Sequence, residues 1–154
     1  MNTVQIIAFT HRQFNFDEIG LFHLDDKQRI DVLTDLKTNL DIDELMYLST
    51  CNRVEFIVSH KKKITKTLVE KLIKQLLANQ LPTNLSDIVD RAEIINSTAA
   101  VHHIFSVASS IDSLVVGERE IITQVRKAFE ECKENNLCGD VIRVLVQSTI
   151  STAK

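Results

Sequence analysis

With 154 residues, 44% of them hydrophobic and 25% charged, the chain is long enough for one domain with a sizeable core and has the composition of an ordinary globular protein. Three glycines and one proline exclude long flexible linkers, and no apolar run is long enough to span a membrane. A formal net charge of −3 argues against broad non-specific binding to nucleic acid, which feeds on phosphate neutralisation, but leaves open the recognition of one end of an RNA.

The first segment, TVQIIAFTH, alternates and is rich in β-branched residues, which predicts a strand ending near His11. From about Asp17 to Leu40 the pattern is helical, with Ile30, Leu33 and Leu36 at helical spacing. DELMYLS and RVEFIVS are two short strands flanking TCN, and Asn52 suits a tight turn between them. HKKKITKTLVEKLIKQLLANQ predicts an amphipathic helix with Ile64, Leu68, Leu72 and Leu76 on one face, and Pro82 follows its end. RAEIINS is a last strand.

Beyond it the pattern is all helical. STAAVHHIFSVASS opens on a Ser/Thr cap signal, GEREIITQVRKAFEECKENN carries Ile121, Val125, Phe129 and Cys132 as a stripe, and GDVIRVLVQSTISTAK is a third helix. The order β-α-β-β-α-β over residues 1–98 predicts an α+β fold, a ferredoxin-like antiparallel sheet with two helices, followed by a helical extension over 99–154. The last helical pattern runs to Lys154 without a Gly or Asn cap, which reads as a piece of something longer.

Three cysteines are an odd count with no disulfide framework, and they read as a reducing, cytoplasmic compartment; Met1 opens no signal-peptide pattern. Cys51, two residues from Arg53, has two readings. A neighbouring cation favours the thiolate and hence a nucleophile, while a packed thiol beside a solvated arginine is the plainer alternative. Of His102 and His103, about 100° apart on a helix, only one joins the apolar face with Val101, Ile104 and Phe105. Two adjacent histidines and a distant cysteine are poor ligand geometry, so no metal site is expected. In SSIDSLVVGEREIITQ, the groups Ser113, Glu118, Glu120 and Gln124 cluster near a helix start, where they serve either a site or simple capping. HKKKITK is a solvated helix start or a phosphate contact.

Three blocks taken together, HR at 11–12, LSTCNRVEFI at 48–57 and AVHHIFSVASSIDSLVVGEREIITQVRKAF at 100–129, resemble the N-terminal domain of the glutamyl-tRNA reductase family, in order and over the whole chain. The resemblance implies reduction of glutamyl-tRNA(Glu) to glutamate-1-semialdehyde for tetrapyrrole synthesis. It implies that Cys51 is the nucleophile and that His103, rather than His102, is the important histidine. Thr50, Cys51, Asn52 and Arg53 fall on the substrate-binding segment, and Ser113, Glu118, Arg119, Glu120 and Gln124 on the remaining substrate contacts. The implied cofactor is NADPH, bound by a further domain, since no G-x-G-x-x-G follows a strand here. The implied partners are the tRNA, a second copy through C-terminal helices outside this chain, and glutamate-1-semialdehyde aminomutase.

The sequence departs from the family where Ser110 replaces a common glycine, GEREI replaces GEPQI and HRQFN replaces HRTAP. Glu120 in place of Gln exchanges an amide for an acceptor-only carboxylate. Two other classes stay open on the residues: a module that grips aminoacyl-tRNA without chemistry, and a thiol acyltransferase or esterase of another substrate.

Overall fold

A computed structural model describes residues 3–109 and 120–153. Four strands, β1 (Thr3–Thr10), β2 (Glu44–Thr50), β3 (Arg53–His60) and β4 (Glu93–Asn96), form one sheet in the order β2-β3-β1-β4, with every neighbouring pair antiparallel. Among the described residues the helices are α1 (Phe16–Gly20), α2 (Arg29–Asn39), α3 (Lys66–Leu76), α4 (Leu85–Arg91), α5 (Ser97–Ala108), α6 (Glu120–Glu134) and α7 (Asp140–Ala153). The mixed, antiparallel character expected from the sequence is present.

Each connection expected to hold one helix holds two. The first helix breaks at residues 21–28, where Tyr47 Oη takes the N–H of Leu24 and donates to the carbonyl of Phe22. The buried rings of Phe22 and Phe14 join Phe9, Phe56 and Tyr47 over one face of the sheet. Burial of those rings keeps the sequence looking helical across the break. Helix α4 is short and carries only Ile88 and Val89 inward, too few for a visible period.

The stripe expected on α3 is displaced. Its buried residues are Val69, Leu72 and Ile73, while Leu68 and Leu76 are only partly covered. Steps of four residues advance 400°, so a stripe at every fourth position winds off a straight face by 40° per step. Ile64 is buried, but it precedes the helix, whose cap is Thr65 accepting from Leu68 N–H. The Ser/Thr cap signal at α5 is not used: the capping residue is Asn96, with no side-chain cap bond, and Ser97 has a φ of 52°.

Helices α2 and α3 lie against each other on the aromatic face. Helix α5 packs on β1 and β4, and α7 on β2 and β3, covering the opposite face, while α6 runs along the β2 edge. As a result all eight residues of β3 are buried. The β2 edge is closed by chain rather than by charge: Leu45 N–H donates to Leu137 carbonyl, and the Glu44 carboxylate accepts from Gly139 N–H at 2.6 Å, Ile142 N–H at 3.0 Å and Val141 N–H at 3.3 Å in the first turn of α7. An anion at a helix N-terminus satisfies donors that have no partner within the helix.

Residues Lys61 to Lys63 are exposed at the far end of β3, and the turn is held by buried Gln5, which accepts from Ile64 N–H and donates to Lys62 carbonyl. Lys66 is structural, its Nζ donating to the carbonyls of Val89, Asp90 and Ala92. Cys132 and Cys138, which the sequence reading leaves unpaired, are joined as a disulfide across the α6–α7 turn with Cα atoms 5.5 Å apart. Six positions of separation bent into a tight turn are enough to bring them together. No helix among the described residues is long and apolar enough to cross a membrane.

Candidate active site

The TCN segment is a two-residue connection. Thr50 pairs with Arg53 at the ends of β2 and β3, which leaves only Cys51 and Asn52 in the turn. Cys51 is exposed and is the free cysteine of the chain. Its neighbours are fixed. Thr50 Oγ1 donates to Asn52 Oδ1 at 3.1 Å and accepts from Asn52 N–H at 3.4 Å. Asn52 carbonyl accepts from His11 N–H at 3.1 Å, so the end of β1 grips the turn from its other side. Thr50 and Asn52 are both buried.

Side chains alternate along a strand, so Arg53 and Glu55 lie on the face covered by α5 and α7. Arg53 is 1% exposed and Glu55 is fully buried. Arg53 Nη1 donates to Glu55 Oε2 at 2.6 Å, and His103 Nε2 lies 2.7 Å from Glu55 Oε1. One carboxylate thus holds a guanidinium from its own strand and an imidazole from α5. A buried charge needs such partners to offset its lost hydration. Burial alone would push the Glu55 carboxyl up, but the hydrogen bond and charge of His103 and the charge of Arg53 outweigh it and hold the group below the usual carboxylate range.

His103 is largely buried and His102 is exposed, so the helix turns one histidine inward. His11 is half-buried, with its Nδ1 shielded and without a hydrogen-bond partner among the described residues. Burial first, and the Arg53 charge second, push its pKa down, which keeps the ring neutral near the turn.

Gln124 sits apart from this trio. It lines a cavity of about 230 Å³ with Arg29, Tyr47, Ser49, Lys127 and Glu131, and its Oε1 is buried without a partner among the described residues. Ser49 and Tyr47 belong to the sheet face opposite Arg53, and Ser49 bonds His23 Nδ1. Ser49 and Arg53 each stand two positions from Cys51, so the turn lies between the cavity and the buried trio. Ser113, Glu118 and Arg119 lie outside the described residues, as does the Glu120 side chain, although Glu120 opens α6.

Glu55 is not among the site residues expected from the sequence, yet it joins Arg53 and His103. Among the described residues no group of three or more His, Cys, Asp or Glu is placed to hold a metal ion. The arrangement offers an exposed thiol on a rigid tip, a buried cation two residues on, and an imidazole fixed by a carboxylate. That set suits acyl transfer to sulfur.

Known proteins match the chain over nearly its whole length. A family model described as "Glutamyl-tRNAGlu reductase, N-terminal domain" matches residues 7–154. A glutamyl-tRNA reductase of a Nitratiruptor species is 39% identical over 137 residues, covering 87% of this chain and 31% of that protein. Another, from Campylobacter jejuni, is 34% identical over 148 residues, covering 96% of this chain and 33% of its own length. The solved glutamyl-tRNA reductase from Methanopyrus kandleri superposes with a TM-score of 0.74 at 22% identity, over 98% of this chain and 33% of that one, and so shares the fold. The chain spans about a third of the length of the curated relatives it matches. On the match over residues 7–154, the chain belongs to the family of glutamyl-tRNA reductase N-terminal domains.

Proposed function

We propose that this chain is the domain of an NADPH-dependent glutamyl-tRNA reductase that takes the glutamyl group from glutamyl-tRNA(Glu), on the way to glutamate-1-semialdehyde and tetrapyrroles. One observation carries the reading: the two-residue turn that presents Cys51, with buried Arg53 following and Glu55 tying Arg53 to His103. The Cys51 thiolate attacks the ester carbonyl of the glutamyl group. The S–C bond forms as the bond to the tRNA 3′ oxygen breaks, which leaves a glutamyl thioester on the protein. His103 takes the thiol proton of Cys51 as the thiolate forms and hands that proton to the departing oxygen. The guanidinium of Arg53 suits the side-chain carboxylate of the glutamyl group. Glu118 suits its α-ammonium, and Thr50, Asn52, Ser113, Arg119, Glu120 and Gln124 supply the remaining contacts.

Residues 1–98, read as a ferredoxin-like split arrangement, carry Cys51, and the helical part 99–154 carries His103. The two therefore act as one catalytic unit. Gly20, Gly117 and Gly139 are too scattered to cradle a dinucleotide pyrophosphate, so the residues of this chain do not fit NADPH. The cofactor is assigned to a region outside these residues, as are the contacts for a second copy and for the aminomutase.

The test is intact mass after incubation with glutamyl-tRNA(Glu), with peptide mapping. A glutamyl adduct on Cys51 supports acyl transfer. Binding of the tRNA with no adduct means a binding module, and equal acylation by simple esters of unrelated acids means a general thiol acyltransferase.

A further inference from the structure

Glu55 is the least exposed charged group described, and none of the sequence motifs marks it as functional. It stands in the cross-sheet row Leu48–Glu55–Ala8–Glu93, between an edge strand and the centre of the sheet. The charged and titratable groups that face it are Arg53 on its own strand, His103 on α5 and, beyond Ala8, half-buried Glu93 on β4. A carboxylate bound to a guanidinium through Oε2 is an acceptor at Oε1, so His103 Nε2 is the donor of the 2.7 Å bond. His103 therefore carries its proton on Nε2 even when neutral. Its Nδ1 makes no hydrogen bond with the described residues, and in the neutral ring it is a lone-pair nitrogen.

We infer that Glu55 is the positioning residue of this site, fixing the tautomer and plane of His103 and the fork of Arg53 together, so that His103 Nδ1 is the atom that exchanges a proton with the reacting groups. The proton roles rest on the acyl-transfer reading above, whereas the tautomer does not. A single buried carboxylate with two oxygens at 2.6 and 2.7 Å from two different partners couples them geometrically: the imidazole cannot swing without releasing the anion that also holds Arg53. A buried network of this type specifies one arrangement only when every member is satisfied.

The deciding measurement is long-range proton–nitrogen NMR of the histidine rings in the 154-residue chain, with exposed His102 as internal reference. The expected result is a His103 proton held on Nε2, and loss of that fixed pattern in Glu55→Gln. Acylation of Cys51 by glutamyl-tRNA should fall about 10²-fold in rate in the same variant, the lower end of what a general acid contributes. The fall should appear in the rate at saturating substrate as well as in apparent affinity, because both His103 and Arg53 lose their anchor. A His103 ring that carries its proton on Nδ1 and leaves Nε2 bare, or one mixed like His102, overturns the inference. So does a Glu55→Gln protein with unchanged tautomer and unchanged acylation. Should Glu55→Gln not fold, the wild-type tautomer decides alone. An Nε2–H tautomer in a chain that forms no Cys51 adduct retains the positioning role of Glu55 and removes the acyl-transfer reading instead.

Discussion

Glu44 on the edge strand and Ile142 in the last helix lie 98 positions apart, yet the carboxylate of one takes the backbone N–H of the other at 3.0 Å. The same carboxylate takes Gly139 N–H at 2.6 Å, and a Cβ at Gly139 would sit 3.3 Å from Glu44 Cδ. One side chain thus docks α7 on the sheet. Glu44→Ala removes the acceptor of three otherwise unpartnered donors and should cost about 1–3 kcal/mol. Urea denaturation measures the loss, and hydrogen exchange should place it at residues 139–142. An unchanged midpoint would show that water substitutes for the carboxylate.

Cys51 should be the first cysteine to react with iodoacetamide, because it is exposed while Cys132 and Cys138 are paired with each other and Cys132 is buried. Peptide mapping of the non-reduced chain tests this, and equal labelling at all three would contradict both the pairing and the exposed tip. Cys51→Ser should keep stability within about 0.5 kcal/mol, as exposed substitutions do, while abolishing transfer of the glutamyl group.

Arg53→Lys keeps the charge but loses the fork. Glutamyl-tRNA should bind roughly 10- to 100-fold worse, the worth of one charge-assisted hydrogen bond, and preference over glutaminyl-tRNA should shrink with it. Filter binding with both tRNAs tests the pair of effects. A Lys variant that keeps affinity and preference would confine Arg53 to its contact with Glu55.

Acid should destabilise the chain in two windows. His11 and His23 both have pKa values pushed down, chiefly by burial. The unfolded chain therefore binds more protons below about pH 6.5, and stability, full above that value, declines as pH falls towards the folded values. Glu55 is held below its ordinary value of 4.5 despite its burial, so its contribution is present above about pH 4.5 and is lost as pH falls through its folded value. His11→Gln should make the upper window shallower, leaving the share of His23, and should leave the lower one unchanged. Stability that does not change between about pH 7 and pH 5 in the wild type would contradict the histidine part.

The chain alone should show no heat of binding with NADPH in calorimetry at millimolar concentration, since no glycine-rich strand-to-helix turn is present in its sequence. Measurable binding would place a dinucleotide site among residues read here as sheet and bundle.

What the sequence discloses and what it conceals follow from burial. The hairpin around Cys51 is visible because both flanking strands end cleanly at a two-residue turn with Asn52 in it. Glu55 is invisible for a matching reason: in RVEFIVSH a glutamate reads as the solvent half of an alternation. The helices α5 and α7 cover that half, so the alternate positions are interior and the glutamate is part of the site. The break between α1 and α2 is hidden because Phe22 and Leu24 continue an apolar rhythm while bonding to a tyrosine from a distant strand. The cavity at Gln124 is likewise built from α2, β2 and α6, a convergence that no local pattern encodes.

The turn that presents Cys51 is gripped by Thr50, by the Asn52 amide and by the backbone of His11, so few torsions remain free at the tip apart from those of the thiol itself. The backbone disorder that an attacking group must usually surrender at the barrier has already been removed during folding. The activation entropy of acylation should therefore belong mainly to the incoming aminoacyl end. Stiffening that end, rather than the protein, is the change that would speed the step.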